Sequence, residues 1–185
     1  MSGRVYNLFL GVFPDEATAR AVVELAEALR LKHGLPGRVR PQRHLHVSLY
    51  FLGQMEEVPP TLAEDAGRIC GPVAAATGPF VINFNQVFSF HGRPGNHPCV
   101  LTGEERENEG IHRLHGALHA AFAGGFPSNH PGRKFIPHLT LLYDQKQLPP
   151  EPIGPVYWTV KEIMLVCSEV GATRYHWLGR WKLGG

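Results

Sequence analysis

The sequence contains little cysteine, has no long apolar run and carries little net charge. Its three cysteines, Cys70, Cys99 and Cys167, are odd in number and widely spaced, which argues against a disulfide framework and against a cysteine-rich zinc site. Apolar runs such as Leu139–Leu142 are far too short to cross a bilayer, and no signal-peptide pattern precedes the first strand-like segment. We therefore expect a cytoplasmic protein that does not associate with membranes.

The net charge of +2 is too small to indicate a general nucleic-acid coat, so any site for a polyanion must be local. A length of 185 residues suits one compact unit, and no Gly- and Ser-rich linker divides the chain. We expect a single domain over residues 1–185 that is a monomer. The unusual feature is the presence of 11 histidines, because imidazole is the side chain whose ordinary pKa lies nearest neutrality.

Hydrophobic patterning predicts strands and helices that alternate in both halves of the chain. A helix is expected after Asp15, a plausible N-cap, and it should stop at Gly34. Two further helices are predicted over residues 60–70 and 107–122, the last one closed by Gly124 and Gly125. Strands are predicted over residues 6–13, 44–52, 80–90, 97–102, 136–143, 156–168 and 175–182, with a Pro-rich connector over 148–155. The resulting fold class is α+β, with mostly antiparallel sheets flanked by helices.

One tetrad occurs twice, about half the chain apart, as His46-Val47-Ser48-Leu49 and His138-Leu139-Thr140-Leu141. Alternate residues of a strand point to the same side, so each copy should present an imidazole and a hydroxyl on one face of a sheet. By the same period we expect His44 and Tyr50 on the face of His46, and Tyr143 on the face opposite His138. A single histidine on a strand is usually structural, but two copies on equivalent strands favour a functional pair.

Two such pairs can frame one cleft if the two halves are related by a pseudo-two-fold axis. A phosphate bound between them would meet two imidazoles able to transfer protons and two hydroxyls able to hold its non-bridging oxygens. We therefore predict His46 and His138 as catalytic residues, and Ser48 and Thr140 as residues that bind the phosphate. This set needs neither a metal nor a cofactor, and a symmetric motif does not tell which imidazole is the acid.

With these two tetrads the chain resembles the 2H phosphoesterases, and in particular their LigT-like branch of RNA 2′,3′-cyclic phosphodiesterases, also called 2′-5′ RNA ligases. Further similarity lies in Leu8–Val12, in Val39-Arg40-Pro41 and in Phe135–Leu141. The resemblance implies a two-lobed, pseudo-symmetric fold with a central cleft. It also implies hydrolysis of 2′,3′-cyclic phosphate ends of RNA or of nucleotides to 2′-phosphates.

The chain departs from this family just beyond the second tetrad. Relatives often carry an arginine there, whereas this chain has Leu142 and Tyr143. Arg133 and Lys134 are candidates for a replacement cation, although a solvated loop is the more common place for such residues. Arg93 is a candidate phosphate contact as well, although an exposed charge is again the more common role for such a residue.

Other histidines and aromatic residues have less specific patterns. One predicted helix carries His112, His115 and His119, and the last two have the i, i+4 spacing of metal ligands. The neighbouring glutamate of the zinc motif is missing. We therefore favour packing or exposed histidines over a metal site. Aromatic residues on the strands are more often core than base-stacking residues; they are Tyr50, Phe84, Phe88 and Phe90. Two alternative functions remain open: hydrolysis or ligation of 2′-5′-linked oligonucleotides or other small cyclic nucleotides, and nucleotide or RNA binding without catalysis.

Overall fold

The computed structural model describes residues 4–123, 134–172 and 174–184. Within these residues the chain forms eight strands and three α-helices, with 3₁₀ turns at Gln42–His44 and Glu105–Glu107. In chain order they are β1 (Tyr6–Val12), α1 (Glu16–His33), β2 (Val47–Met55), α2 (Leu62–Ala75), β3 (Phe80–Ser89), β4 (His97–Thr102), α3 (Glu109–Phe122), β5 (Leu139–Asp144), β6 (Glu151–Val160), β7 (Glu162–Glu169) and β8 (Arg174–Lys182).

The strands form two antiparallel four-stranded sheets, with the orders β2-β1-β7-β8 and β5-β4-β3-β6. The predicted α+β class is confirmed. The unit β1–α1–β2 in the first sheet has the same order as β4–α3–β5 in the second, and β2 and β5 are both edge strands. The repeated histidine tetrads therefore lie at equivalent positions of two similarly built halves.

The predicted single strand over residues 156–168 is wrong. It comprises β6 and β7, which belong to different sheets and are separated by Lys161. The apolar pattern has no break there, because both strands are rich in branched and aromatic residues. The predicted connector over 148–155 is also wrong in part, since β6 begins at Glu151. Its prolines are tolerated because β6 is an edge strand, which can lack ladder donors on one side.

Helix α1 begins and ends where the sequence predicts. The Asp15 carboxylate accepts hydrogen bonds from the backbone N–H of Thr18 at 2.9 Å and from its hydroxyl at 3.0 Å. Gly34 ends the helix in the left-handed conformation, with φ 58°. The buried face carries Val22 and Leu29, and it packs over β5 and β6 of the second sheet.

The helices cover one face of each sheet, and a single large apolar cluster lies between them. Helix α2 packs on β7 and β8, and α3 packs on β2 and β3. The glycines predicted to close α3, at positions 124 and 125, lie outside the described residues. A second, smaller cluster lies apart from this core, beside the first histidine tetrad, and consists of Phe9, Met164 and Val166, with Phe13, Phe51 and Tyr175 against it. No helix in the described ranges is long and apolar enough to span a membrane.

Candidate active site

His46 lies immediately before β2 and is held by its own backbone. Its Nδ1–H donates to the carbonyl oxygen of His44 at 2.8 Å, and because a carbonyl can only accept, the tautomer of the neutral ring is set. Nε2 is therefore the lone-pair nitrogen, and it lies 3.1 Å from the Ser48 hydroxyl. The predicted pairing of this imidazole with its hydroxyl is present.

His138 is held by the equivalent contact in the second sheet. Its Nδ1–H donates to the carbonyl oxygen of Ile136 at 2.7 Å, which again leaves Nε2 with the lone pair. The preceding residue, Pro137, is buried, and its carbonyl accepts a hydrogen bond from the Thr102 hydroxyl of β4 at 2.9 Å. Thr140 follows on β5 and is half-buried. Both histidines thus use the carbonyl two residues upstream to set the ring.

The two imidazoles share one electrostatic environment. The pKa of His46 is lowered to about 4, chiefly by burial and in addition by the positive charges of Arg40 and His138, while the hydrogen bond to His44 opposes the shift. Burial also lowers the pKa of His138. Both rings are therefore neutral at pH 7 in the free protein, and the protonation of one is felt by the other.

A β-bulge follows the hydroxyl residue of each tetrad. In β2, Ser48 and Tyr50 pair with successive residues of β1, so Leu49 is the extra residue. In β5, Thr140 and Leu142 pair with successive residues of β4, so Leu141 is extra. A bulge reverses the alternation of side chains that follows it, and bulges are frequent beside active sites.

The bulges overturn part of the predicted facing pattern. Tyr50 is buried and stacks on Phe122 of α3, whereas Phe51 joins the aromatic cluster beside His46. Tyr143, expected on the core side, is 43% exposed and lies under the Arg40 guanidinium. Strict alternation fails here because each strand has an extra, unpaired residue directly after its tetrad hydroxyl.

Aromatic rings enclose His46 on several sides. Its ring stacks on Phe9 at 4.7 Å and on Phe13 at 5.5 Å between centroids, and it meets the edge of Tyr175 at 5.8 Å. This packing shields much of the half-buried imidazole from water and contributes to its low pKa. His138 has a smaller aromatic contact, an edge-to-face packing with Phe90 at 4.9 Å.

His44 does not lie on the strand face of His46 as expected. It belongs to the 3₁₀ turn before β2, is buried, and stacks on Tyr175 at 4.3 Å. Burial and the charges of Arg40 and Arg43 lower its pKa. Its backbone carbonyl positions His46, so its contribution to the site is structural.

The match to a family model decides the affiliation of the chain. Residues 13–171, which include both tetrads, match the model described as the 2′-5′ RNA ligase superfamily. The chain belongs to this superfamily. No curated protein sequence gives a significant match.

Solved structures extend the superfamily match to the whole fold. TT0787 of Thermus thermophilus is 27% identical, with a TM-score of 0.76 over 97% of this chain and 98% of that one. Escherichia coli LigT in its apo form is 25% identical, with a TM-score of 0.72 over 98% and 99% of the two chains. Usb1 of Kluyveromyces marxianus, at 13% identity and a TM-score of 0.51 over 94% and 97%, shares the fold alone. LigT has also been crystallised with phosphate and with 3′-AMP.

Arg40 is a feature of this superfamily member that the sequence did not single out as a site residue. Its backbone N–H donates to the carbonyl of Leu141 at 2.8 Å, and a neighbouring bridge pairs Val39 with Leu142. A residue from the first half therefore reaches the second tetrad. The proposed cations fare differently: Lys134 forms an ion pair with Glu105 at 2.9 Å, Arg93 is exposed in the 91–96 loop, and Arg133 lies outside the described residues.

The histidines of α3 are packing residues. His115 stacks on Phe135 with centroids 3.8 Å apart, and His119 meets the edge of Tyr50 at 4.7 Å. Burial lowers the pKa of both rings, that of His115 to about 4. Across the described part of the chain, no group of three or more His, Cys, Asp or Glu side chains is arranged to hold a metal ion. Phe84 is core, as expected of a strand aromatic.

Proposed function

We propose that the protein is a metal-independent phosphodiesterase that hydrolyses 2′,3′-cyclic phosphate ends of RNA or of nucleotides to 2′-phosphates. The observation that carries this proposal is the matched pair of Nδ1–H bonds, from His46 to His44 and from His138 to Ile136. Each bond makes Nε2 the ring nitrogen that can accept or donate a proton, with the Nε2 of His46 beside the Ser48 hydroxyl. Superfamily membership supports the same assignment.

In the proposed reaction, water attacks the phosphorus while one imidazole takes its proton. A bond forms between phosphorus and the water oxygen, and the bond from phosphorus to the ribose 3′ oxygen breaks. The other imidazole, in its protonated form, donates its proton to that leaving oxygen. Ser48 and Thr140 would donate hydrogen bonds to the non-bridging oxygens as charge develops on them.

An exposed aromatic surface beside the site supports a nucleotide rather than a simple phosphate ester. Trp177 is 50% exposed and packs edge-on against Phe13 at 4.8 Å, next to His46. Such a ring offers a face on which a base can stack.

A product assay on a panel of substrates tests the proposal. The panel contains 2′,3′-cyclic AMP, an RNA with a cyclic end, and a 2′-5′-linked dinucleotide, each with and without a chelator. We expect 2′-phosphate products from the first two, unaffected by chelation, and loss of turnover in His46→Ala and His138→Ala. His115→Ala is the matched control, because it removes an enclosed histidine outside the site.

Three outcomes would replace the proposal. Cleavage or joining of the 2′-5′ dinucleotide alone would favour the alternative superfamily activity, and binding without turnover would favour a non-catalytic module. A strict requirement for one divalent metal would contradict the two-histidine mechanism.

A further inference from the structure

We propose that Arg40, which belongs to the first half of the chain, binds the phosphate of the substrate beside the second tetrad. The anion would then be held between the two histidine tetrads. This inference deepens the proposed function and rests on it for the identity of the substrate. The observations that support it concern the fixed position of Arg40, its incomplete set of partners and its charge.

The backbone fixes Arg40 beside the second tetrad. The segment before β2 adds to the free edge of β5 through the bond from Arg40 N–H to the Leu141 carbonyl, at 2.8 Å, and through the bridge between Val39 and Leu142. Leu141 is the bulged residue that directly follows Thr140. Arg40 is therefore attached to β5 one residue from the predicted phosphate-binding hydroxyl, while the chain continues within six residues to His46.

The guanidinium is held in place but has few acceptors. One terminal nitrogen donates to the Tyr175 hydroxyl at 3.1 Å, and the central carbon lies 5.8 Å from the centre of the Tyr143 ring. Nε is buried with no hydrogen-bond partner. Among the described residues, no carboxylate lies within salt-bridge distance of Arg40, whereas seven other arginines have one.

A half-buried guanidinium without a counter-ion is costly, and its remaining N–H donors suit an anion with several oxygens. The two aromatic contacts orient the plane of the group without neutralising it. Phosphate satisfies both needs, because it brings the missing negative charge and can accept two parallel hydrogen bonds. The neighbouring hydroxyl and imidazole groups then meet the other side of the same anion.

The charge of Arg40 already reaches one of the two predicted catalytic imidazoles, since it lowers the pKa of His46, and it also lowers the pKa of the structural His44. An anion at Arg40 would oppose that effect, so binding of phosphate should make His46 easier to protonate. Arg40 also lies over Tyr143, the residue found where relatives often carry an arginine. The cation of this chain thus comes from the loop before the first tetrad instead.

The test measures affinity for inorganic phosphate, together with KM and kcat for 2′,3′-cyclic AMP, in Arg40→Gln and Arg40→Lys. Charge-assisted hydrogen bonds of this kind are worth about 10- to 100-fold in affinity. We expect Arg40→Gln to weaken phosphate binding by about that factor and to raise KM, with Arg40→Lys intermediate because it keeps the charge but not the paired donors. Arg43→Gln is the matched control, an exposed arginine three residues away that should leave both values unchanged.

Two further variants separate this role from a purely structural one. Tyr143→Arg, combined with Arg40→Gln, should restore part of the phosphate affinity, because it places a guanidinium in the region that Arg40 occupies. Tyr175→Phe should retain most of the affinity, since it removes only the bond that orients Arg40. Thermal unfolding of every variant shows whether a loss of affinity follows from a loss of folding.

Phosphate affinity in folded Arg40→Gln within twofold of the parent would overturn the inference, and so would a failure of Arg40→Lys to exceed Arg40→Gln. The experiment distinguishes a failure of this inference from a failure of the proposed function. If no cyclic phosphate is hydrolysed while phosphate binding still depends on Arg40, the phosphate site stands and the enzymatic assignment falls. If hydrolysis proceeds normally in Arg40→Gln, the enzyme stands and this role of Arg40 falls.

Discussion

Acidification should protonate His46 far less readily than an ordinary histidine. Its pKa is lowered from 6.5 to about 4, chiefly by burial among aromatic rings and then by the charges of Arg40 and His138. At about 1.4 kcal/mol for each pH unit, this difference corresponds to about 3 kcal/mol against the charged form. The neighbouring rings of Phe9 and Phe13 therefore help to keep the His46 imidazole neutral in the free protein.

The same difference affects folding, with a definite sign. In the unfolded chain this imidazole takes up a proton near pH 6.5, but in the folded chain it does so only near pH 4. Between these values the unfolded state binds more protons, so the free energy of unfolding falls as the pH falls. Replacing His46 by Gln should reduce this decrease in the free energy of unfolding at acid pH by up to about 3 kcal/mol.

Two measurements check this prediction. Nitrogen-15 NMR of the imidazole rings gives the pKa of His46 directly, and urea unfolding of the parent and of His46→Gln across the pH range gives the change in stability. His115→Gln is a control for a lowered imidazole pKa outside the site, because burial and the neighbouring His119 and His112 lower the pKa of His115 to about 4. A His46 ring that titrates near 6.5 in the folded protein would refute the reasoning.

Three further predictions follow from the site. The kcat/KM for a 2′,3′-cyclic nucleotide should follow a bell-shaped pH profile with its maximum between about 4 and 6.5, because the pKa values of both His46 and His138 are lowered; a maximum above pH 8 would contradict it. Ser48→Ala and Thr140→Ala should each reduce kcat by about 10- to 1000-fold with little loss of stability, as measured by steady-state kinetics and thermal melting, if each hydroxyl stabilises the transition state. Thr102→Val should lower the free energy of unfolding by about 1–3 kcal/mol in urea unfolding, because it leaves the buried Pro137 carbonyl without its hydrogen-bond donor. An unchanged free energy of unfolding would show that this bond is dispensable.

The equivalent placement of the two tetrads could be predicted from the sequence, while their role in a site stays a prediction. Their local pattern fixes which residues carry an imidazole and a hydroxyl on one side of a strand, and β2 and β5 are indeed the equivalent edge strands of two similar sheets. The helix limits at Asp15 and Gly34 were equally local, because a cap depends on residues within one turn.

Features that depend on pairing between distant strands were not predictable from local pattern. A bulge is defined by pairing with the partner strand, so only the register shows that Leu49 and Leu141 are the extra residues. The changed side-chain directions of Phe51 and Tyr143 follow from these bulges. The position of Arg40 depends on the packing of one half against the other, and nothing in its neighbouring residues indicates it.

The central claim, that His46 and His138 act as one acid–base pair, is tested most directly by a double-mutant cycle. The measured quantity is kcat/KM for a 2′,3′-cyclic nucleotide in the parent, in His46→Ala, in His138→Ala and in the double variant. Residues that act as a unit lose nearly all of their joint effect with the first substitution. We predict that each single variant loses most activity and that the double variant is scarcely slower than either. Independent, multiplying losses, or near-normal hydrolysis by a folded single variant, would contradict the mechanism.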